Sequence, residues 1–189
     1  MPLAKGEIDP EIARAVRLVI LDVDGVLTDG GIYVGAHPDG TEIELKRFDI
    51  QDGLGVKMLR WAGIEVAIVS GRVSGATAQR AAELEIKECH QDPTAKKLPI
   101  VRGLLEKRHL NWDAVAMVGD DLADLPVLER VGLPVAVANA VSEVHEVAHW
   151  TTTARGGMGA VREFSQSLLE VRREWERVVR KYCDARSSL

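Results

Sequence analysis

The chain has 189 residues, 46% of them hydrophobic and 28% charged, with a formal net charge of −5. That balance suits one soluble domain of roughly 100–200 residues and excludes a disordered tail, a fibrous repeat and a disulfide-stapled miniprotein. A mildly acidic chain presents no global field to nucleic acid or an anionic membrane. Cys89 and Cys183 stand far apart, so a reduced, cytoplasmic protein is expected.

In chain order, residues 1–15 read as a polar lead-in. Leu18-Val19-Ile20-Leu21 is a short, wholly apolar run that stops at Asp22. Such a run marks a strand buried on both faces, and it is too short for a signal segment or a membrane span. Residues 30–48 read as an antiparallel hairpin around Pro38-Asp39-Gly40. A helix is expected over Leu54 to Trp61, a strand over Val66 to Val69, and a helix over Ala76 to Leu84. A weaker strand, Ile86 to Cys89, and a helix, Leu98 to Leu110, follow. Next come a strand over Ala114 to Val118, a helix over Leu122 to Val131, and a strand over Val135 to Val137. The alternation predicts βαβ units and a parallel sheet covered on both faces. From Val161 to Tyr182, apolar residues recur at spacings of three and four, which predicts one C-terminal helix over 157–182. That seam is expected either to pack on its own domain or to serve oligomer contacts.

Four chemically loaded segments follow four of these strands: Asp22-Val23-Asp24-Gly25, Ser70-Gly71-Arg72, Lys96-Lys97, and Gly119-Asp120-Asp121 with Asp124. Singly, each is commonplace; Gly119-Asp120-Asp121, for instance, could merely cap a helix. In an open parallel sheet, however, the carboxyl ends of the strands lie side by side and form one crevice. Clustered carboxylates there repel one another unless a hard cation such as Mg²⁺ joins them. A hydroxyl and an ammonium supply donors for phosphate oxygens. Carboxylate nucleophile, cation and ammonium together suit phosphoryl transfer through a phosphoaspartate. Asp24, two residues beyond Asp22, stands where a general acid would.

These motifs, in this order, resemble the haloacid dehalogenase superfamily. Within it, Phe48 to Gly55, the hairpin in place of a cap, and Gly156-Gly157-Met158-Gly159 resemble the small capless phosphatases acting on 3-deoxy-D-manno-octulosonate 8-phosphate. The resemblance spans roughly residues 15–182 and implies a single domain over 1–189, a Rossmann-like three-layer α/β sandwich with a parallel sheet and a projecting β-hairpin. It implies Asp22 as nucleophile and Mg²⁺ ligand, and Asp24 as general acid/base with a backbone carbonyl on the metal. Asp120 would complete the metal site, supported by Asp121 or Asp124. Ser70, Gly71, Arg72 and Lys97 would hold the phosphoryl group, Lys97 being preferred to Lys96 on spacing. Gln51, Asp52 and Met158 would face the rest of a small phosphorylated substrate. The resemblance also implies a homotetramer in which a neighbour's hairpin or C-terminal segment helps close the site.

Two positions depart from the pattern. Gln51 stands where Arg is common, and Met158 where Arg or Lys is common, which admits a nonulosonate 9-phosphate or phenyl phosphate as substrate. Two rival readings remain. His145-Glu146-Val147-Ala148-His149 matches the zinc-protease signature, but no clear third ligand follows and Trp150 to Thr153 read as extended, so a surface helix is the better reading. A receiver-like phospho-acceptor module also gathers Asp, hydroxyl and Lys, but in a different chain order.

Overall fold

The computed structural model describes residues 6–187, so the start of the lead-in and the last two residues lie outside the described residues. Six strands form one parallel sheet. They are β1 (Leu18–Leu21), β4 (Glu65–Ser70), β5 (Glu88–Gln91), β6 (Val115–Gly119), β7 (Leu133–Ala136) and β8 (Trp150–Thr151), in spatial order β5-β4-β1-β6-β7-β8. The remaining pair, β2 (Tyr33–Ala36) and β3 (Glu42–Leu45), makes the expected hairpin, closed at its base by a bridge between Thr28 and Phe48.

The apolar runs explain the layers. Successive side chains of a strand point to opposite faces, so Val19 and Leu21 join one core while Leu18 and Ile20 join the other. The first core lies under α1 (Pro10–Ala15), α2 (Ile50–Trp61), α3 (Gly75–Glu83) and α7 (Ala160–Val171). The second lies under α4 (Lys97–Arg108), α5 (Leu125–Leu128) and α6 (Ser142–Val147). A fully buried Phe164 anchors the first, and burying such a side chain is worth about 1.5–3 kcal/mol. The expected three-layer α/β sandwich is what folds.

Four local expectations are corrected. The lead-in is partly helical: Asp9 caps α1 by accepting from the Glu11 and Ile12 amides, and Ile8, Ala13 and Val16 are buried. The weak strand begins at Glu88 rather than Ile86; as an edge strand it is half-buried, so its apolar pattern is thin. The helix expected over Leu122 to Val131 shrinks to a 3₁₀ turn (Leu122–Asp124) and a four-residue α5 with Pro126 near its start. The C-terminal seam is two helices, α7 and α8 (Trp175–Ser187), because Arg173 adopts φ 59° and turns the chain. The seam keeps its period across this corner because Val161, Phe164, Leu168 and Val178 all enter the same core. Those four positions of the seam therefore pack on the chain's own domain.

Candidate active site

Strand β1 sits at the centre of the sheet, where the chain moves from the β4 side to the β6 side. Ligands gather outside the carboxyl ends at such a switch. Asp22 extends β1 by one rung, donating its amide to the Val118 carbonyl, and its side chain is almost wholly buried. Lys97 opens α4 and points inward, with Nζ 2.7 Å from Asp22 Oδ1 and 2.6 Å from Asp124 Oδ1. Lys96, one residue earlier, is exposed. Asp124 is completely buried, and its other oxygen accepts from the Asp120 amide at 3.0 Å. It thus fixes both Lys97 and the loop that carries Asp120.

Asp22, Asp120 and Asp124 each offer an oxygen within 4.8 Å of the others. Asp120 Oδ1 is buried without a hydrogen-bond partner. Three carboxylates against one ammonium leave two uncompensated negative charges, the amount one divalent cation cancels. Burial, followed by the charges of Asp22, Asp124 and Asp121, pushes Asp120 up to about 8. Asp22 is raised as well, by burial and by Asp124, in spite of Lys97. Burial opposes the charge on Lys97, but Asp22 and Asp124 outweigh it and hold the ammonium above its ordinary value. The donor set is oxygen-only, as Mg²⁺ requires. The backbone is shaped to admit it: Gly25 has φ +89°, and a Cβ there would lie 1.9 Å from Asp120 Oδ2.

The neighbouring loops are tied together. Asn139, just past β7, donates from its amide to the Gly25 carbonyl at 3.0 Å and accepts from the Gly156 amide at 2.6 Å. The approach is close: a Cβ on Gly156 would meet the Gly25 oxygen at 1.7 Å. Ser70 ends β4, is buried, and accepts from the Arg72 amide at 3.2 Å, so its hydroxyl is pinned in the turn that contains Gly71. The hairpin joins this network through β3. Glu44 pairs with Arg72, Lys46 with Asp24, and Arg47 with the Gly157 carbonyl and Met158 Sδ.

Not every expected residue comes in. Asp121 is exposed and caps the 3₁₀ turn, accepting from the Leu122 amide at 2.7 Å. The Asp24 side chain pairs with Lys46 and lies outside the gathered carboxylates. Asp52 turns into the interior, where its carboxylate accepts from the Arg162 amide at 2.8 Å and caps α7. Burial pushes it up to about 6. Gln51 is exposed beside a cleft of about 350 Å³ between α2, α3 and α8, lined also by Arg80 and Tyr182. Met158 is exposed, against Arg47. The zinc-protease pattern is broken: α6 ends at Val147, so His145 and His149 do not occupy adjacent turns of one helix. Among the described residues, no metal-capable group includes either histidine.

Sequence reasoning passes over Lys46, Arg47 and Asn139. Asn139 follows a buried strand, so the strand-end rule that picks out Asp22 and Asp120 would also have found it. Lys46 and Arg47 carry no such mark, since hairpin cations are usually solvated.

Residues 90–163 match the family of haloacid dehalogenase-like hydrolases. The chain is 44% identical over 167 residues to the 3-deoxy-D-manno-octulosonate 8-phosphate phosphatase of Salmonella typhimurium, covering 87% of this chain and 86% of that protein. Among solved structures, it superposes on the 3-deoxy-D-manno-octulosonate 8-phosphate phosphatase of Moraxella catarrhalis in complex with magnesium, phosphate and KDO. The TM-score is 0.84 at 35% identity, covering 92% and 97% of the two chains. The corresponding phosphatase of Yersinia pestis gives 0.81 at 40% identity, with 88% of each chain covered.

Proposed function

The chain belongs to the haloacid dehalogenase-like hydrolases, and on that premise we propose that it is a Mg²⁺-dependent phosphatase of 3-deoxy-D-manno-octulosonate 8-phosphate. The observation that carries the chemistry is the convergence of Asp22, Asp120, Asp124 and Lys97 at the end of β1. The relatives' printed activity, at 44% identity over most of both chains, supports the substrate.

In this reading the whole chain acts as one catalytic domain. Asp22 and Asp120 would hold Mg²⁺, joined by the Asp24 main-chain carbonyl. When bound, the cation neutralises phosphoryl charge and keeps both carboxylates ionised. An Asp22 oxygen attacks phosphorus, the bond to the sugar oxygen breaks, and Asp24 gives that oxygen its proton. Water then attacks the phosphoaspartate, Asp24 takes a proton back, and inorganic phosphate leaves with Asp22 restored. Lys97, oriented by Asp124, holds a phosphoryl oxygen, and the Ser70 hydroxyl and the Gly71 and Arg72 turn hold others. Asp52 keeps α7, and with it the Gly156 to Gly159 turn, in place.

Met158 and Gln51 do not strip the crevice of cations, since Arg47 and Arg72 stand on its rim. That favours a sugar acid over phenyl phosphate. No helix among the described residues is long and apolar enough to cross a membrane, and a cytoplasmic enzyme is proposed. The hairpin exposes Ile32, Val34 and Leu45 at 64%, 75% and 64%, which supports a homo-oligomer, proposed to be a tetramer, assembled through it.

The test is phosphate release from 3-deoxy-D-manno-octulosonate 8-phosphate, a nonulosonate 9-phosphate and phenyl phosphate, each with Mg²⁺ or excess chelator. Preference for the first and loss of turnover in chelator are expected. Preference for phenyl phosphate would overturn the substrate, and undiminished turnover in chelator would overturn the metal.

A further inference from the structure

We infer that Lys46, at the end of the hairpin's return strand, is the positioning residue for the Asp24 carboxylate. The inference rests on the reading of Asp24 as general acid/base. The Lys46 side chain is only 2% exposed, although it starts from an exposed hairpin, and its ammonium pairs with Asp24 Oδ1. A buried ammonium is tolerated when it is paired. Asp24, at 25% exposure, is the more accessible partner, so the pair opens toward the crevice.

The contact falls on one carboxylate oxygen. Lys46 takes Oδ1, which leaves Oδ2 for the proton that the leaving oxygen requires. Without that tie, Asp24 sits on a sharp loop before Gly25 and is free to rotate about its own side chain. Glu44 lies in β3 and Lys46 one residue past its end, and both side chains reach from the hairpin to the body. Glu44 reaches Arg72 beyond β4, and Lys46 reaches Asp24 beyond β1. The hairpin therefore does more than overhang the crevice, because it sets the orientation of an acid inside it.

A positioning role for the acid differs from a phosphate-binding role in its dependence on the leaving group. An alkoxide needs a proton as it departs, whereas p-nitrophenolate does not. The experiment measures alcohol release in a single turnover of the full chain with Mg²⁺, from 3-deoxy-D-manno-octulosonate 8-phosphate and from p-nitrophenyl phosphate. The proteins are wild type, Lys46→Met, Lys46→Arg and Asp24→Asn. The readout is the ratio of the two rates, which does not depend on how much of a variant is folded. Lys46→Met is expected to lower the sugar-to-aryl ratio by about tenfold or more, with KM for the sugar phosphate within about twofold of wild type. Lys46→Arg is expected to recover part of the ratio.

Equal slowing on both substrates, or a rise in KM alone, would overturn the inference and make Lys46 a phosphate ligand. If Asp24→Asn lowers the ratio but Lys46→Met does not, the positioning role fails while the acid/base reading stands. If Asp24→Asn leaves the ratio unchanged, the acid/base reading itself fails, and the inference falls with it.

Discussion

The crevice and the hairpin are adjacent in space and opposite in construction. The crevice is assembled from the ends of β1, β4 and β6, whose residues are almost all buried, and its side chains inherit their positions from a close-packed sheet. The hairpin has no core of its own: β2 is exposed along its whole length, and polar ties from β3 attach it to the body. The difference separates two jobs. Chemistry that needs carboxylates held within a few ångströms of one another is placed on the rigid part. In the proposed function, substrate fit and contact with a second copy would fall to the exposed hairpin.

The sharpest way to break this division is to change the crevice chemically and leave its shape alone. Asp22→Asn is expected to lower kcat by about 10⁴-fold or more while far-UV circular dichroism stays unchanged. Substantial remaining turnover would move the nucleophile elsewhere. Next in size is stability. Phe164→Ala opens a cavity in the first core and is expected to cost about 3–5 kcal/mol in chemical denaturation. Val34→Ser, on the hairpin, is expected to change it by less than about 0.5 kcal/mol. Comparable losses would mean that the hairpin is part of the fold's cooperative unit.

The smallest effect is electrostatic. With folded values raised above the ordinary carboxylate range at Asp22, to about 8 at Asp120 and to about 6 at Asp52, the metal-free folded protein holds protons that the unfolded chain has lost. Its stability should therefore fall as pH rises from about 4 to 8, read as a falling thermal midpoint. Mg²⁺ at pH 8 should return most of that. A midpoint that rises with pH in chelator would show that the carboxylates are not strained as described.

Much of this was legible from residue pattern, for a physical reason. Strands buried on both faces have no polar option, so β1, β4 and β6 announce themselves, and with them the positions of Asp22, Ser70 and Asp120. Edge strand β5 is only half-buried and slipped by two residues. The corner at Arg173 left no trace, because both helices feed the same core and the apolar spacing runs on through it. The family resemblance placed Asp52 facing the substrate, yet the fold turns it inward to accept from the Arg162 amide at the start of α7. Lys46 was invisible because nothing local tells a buried hairpin cation from a solvated one. Only the return of the strand to the body reveals it.

The central claim, that phosphate passes through Asp22, can be tested directly by acid quench in mid-turnover followed by peptide mapping of the phosphorylated protein. The account predicts a hydroxylamine-labile phosphoryl group on the peptide containing Asp22, absent from Asp22→Asn. A stable label on a serine or histidine, or a phosphoryl group on another aspartate, would contradict it.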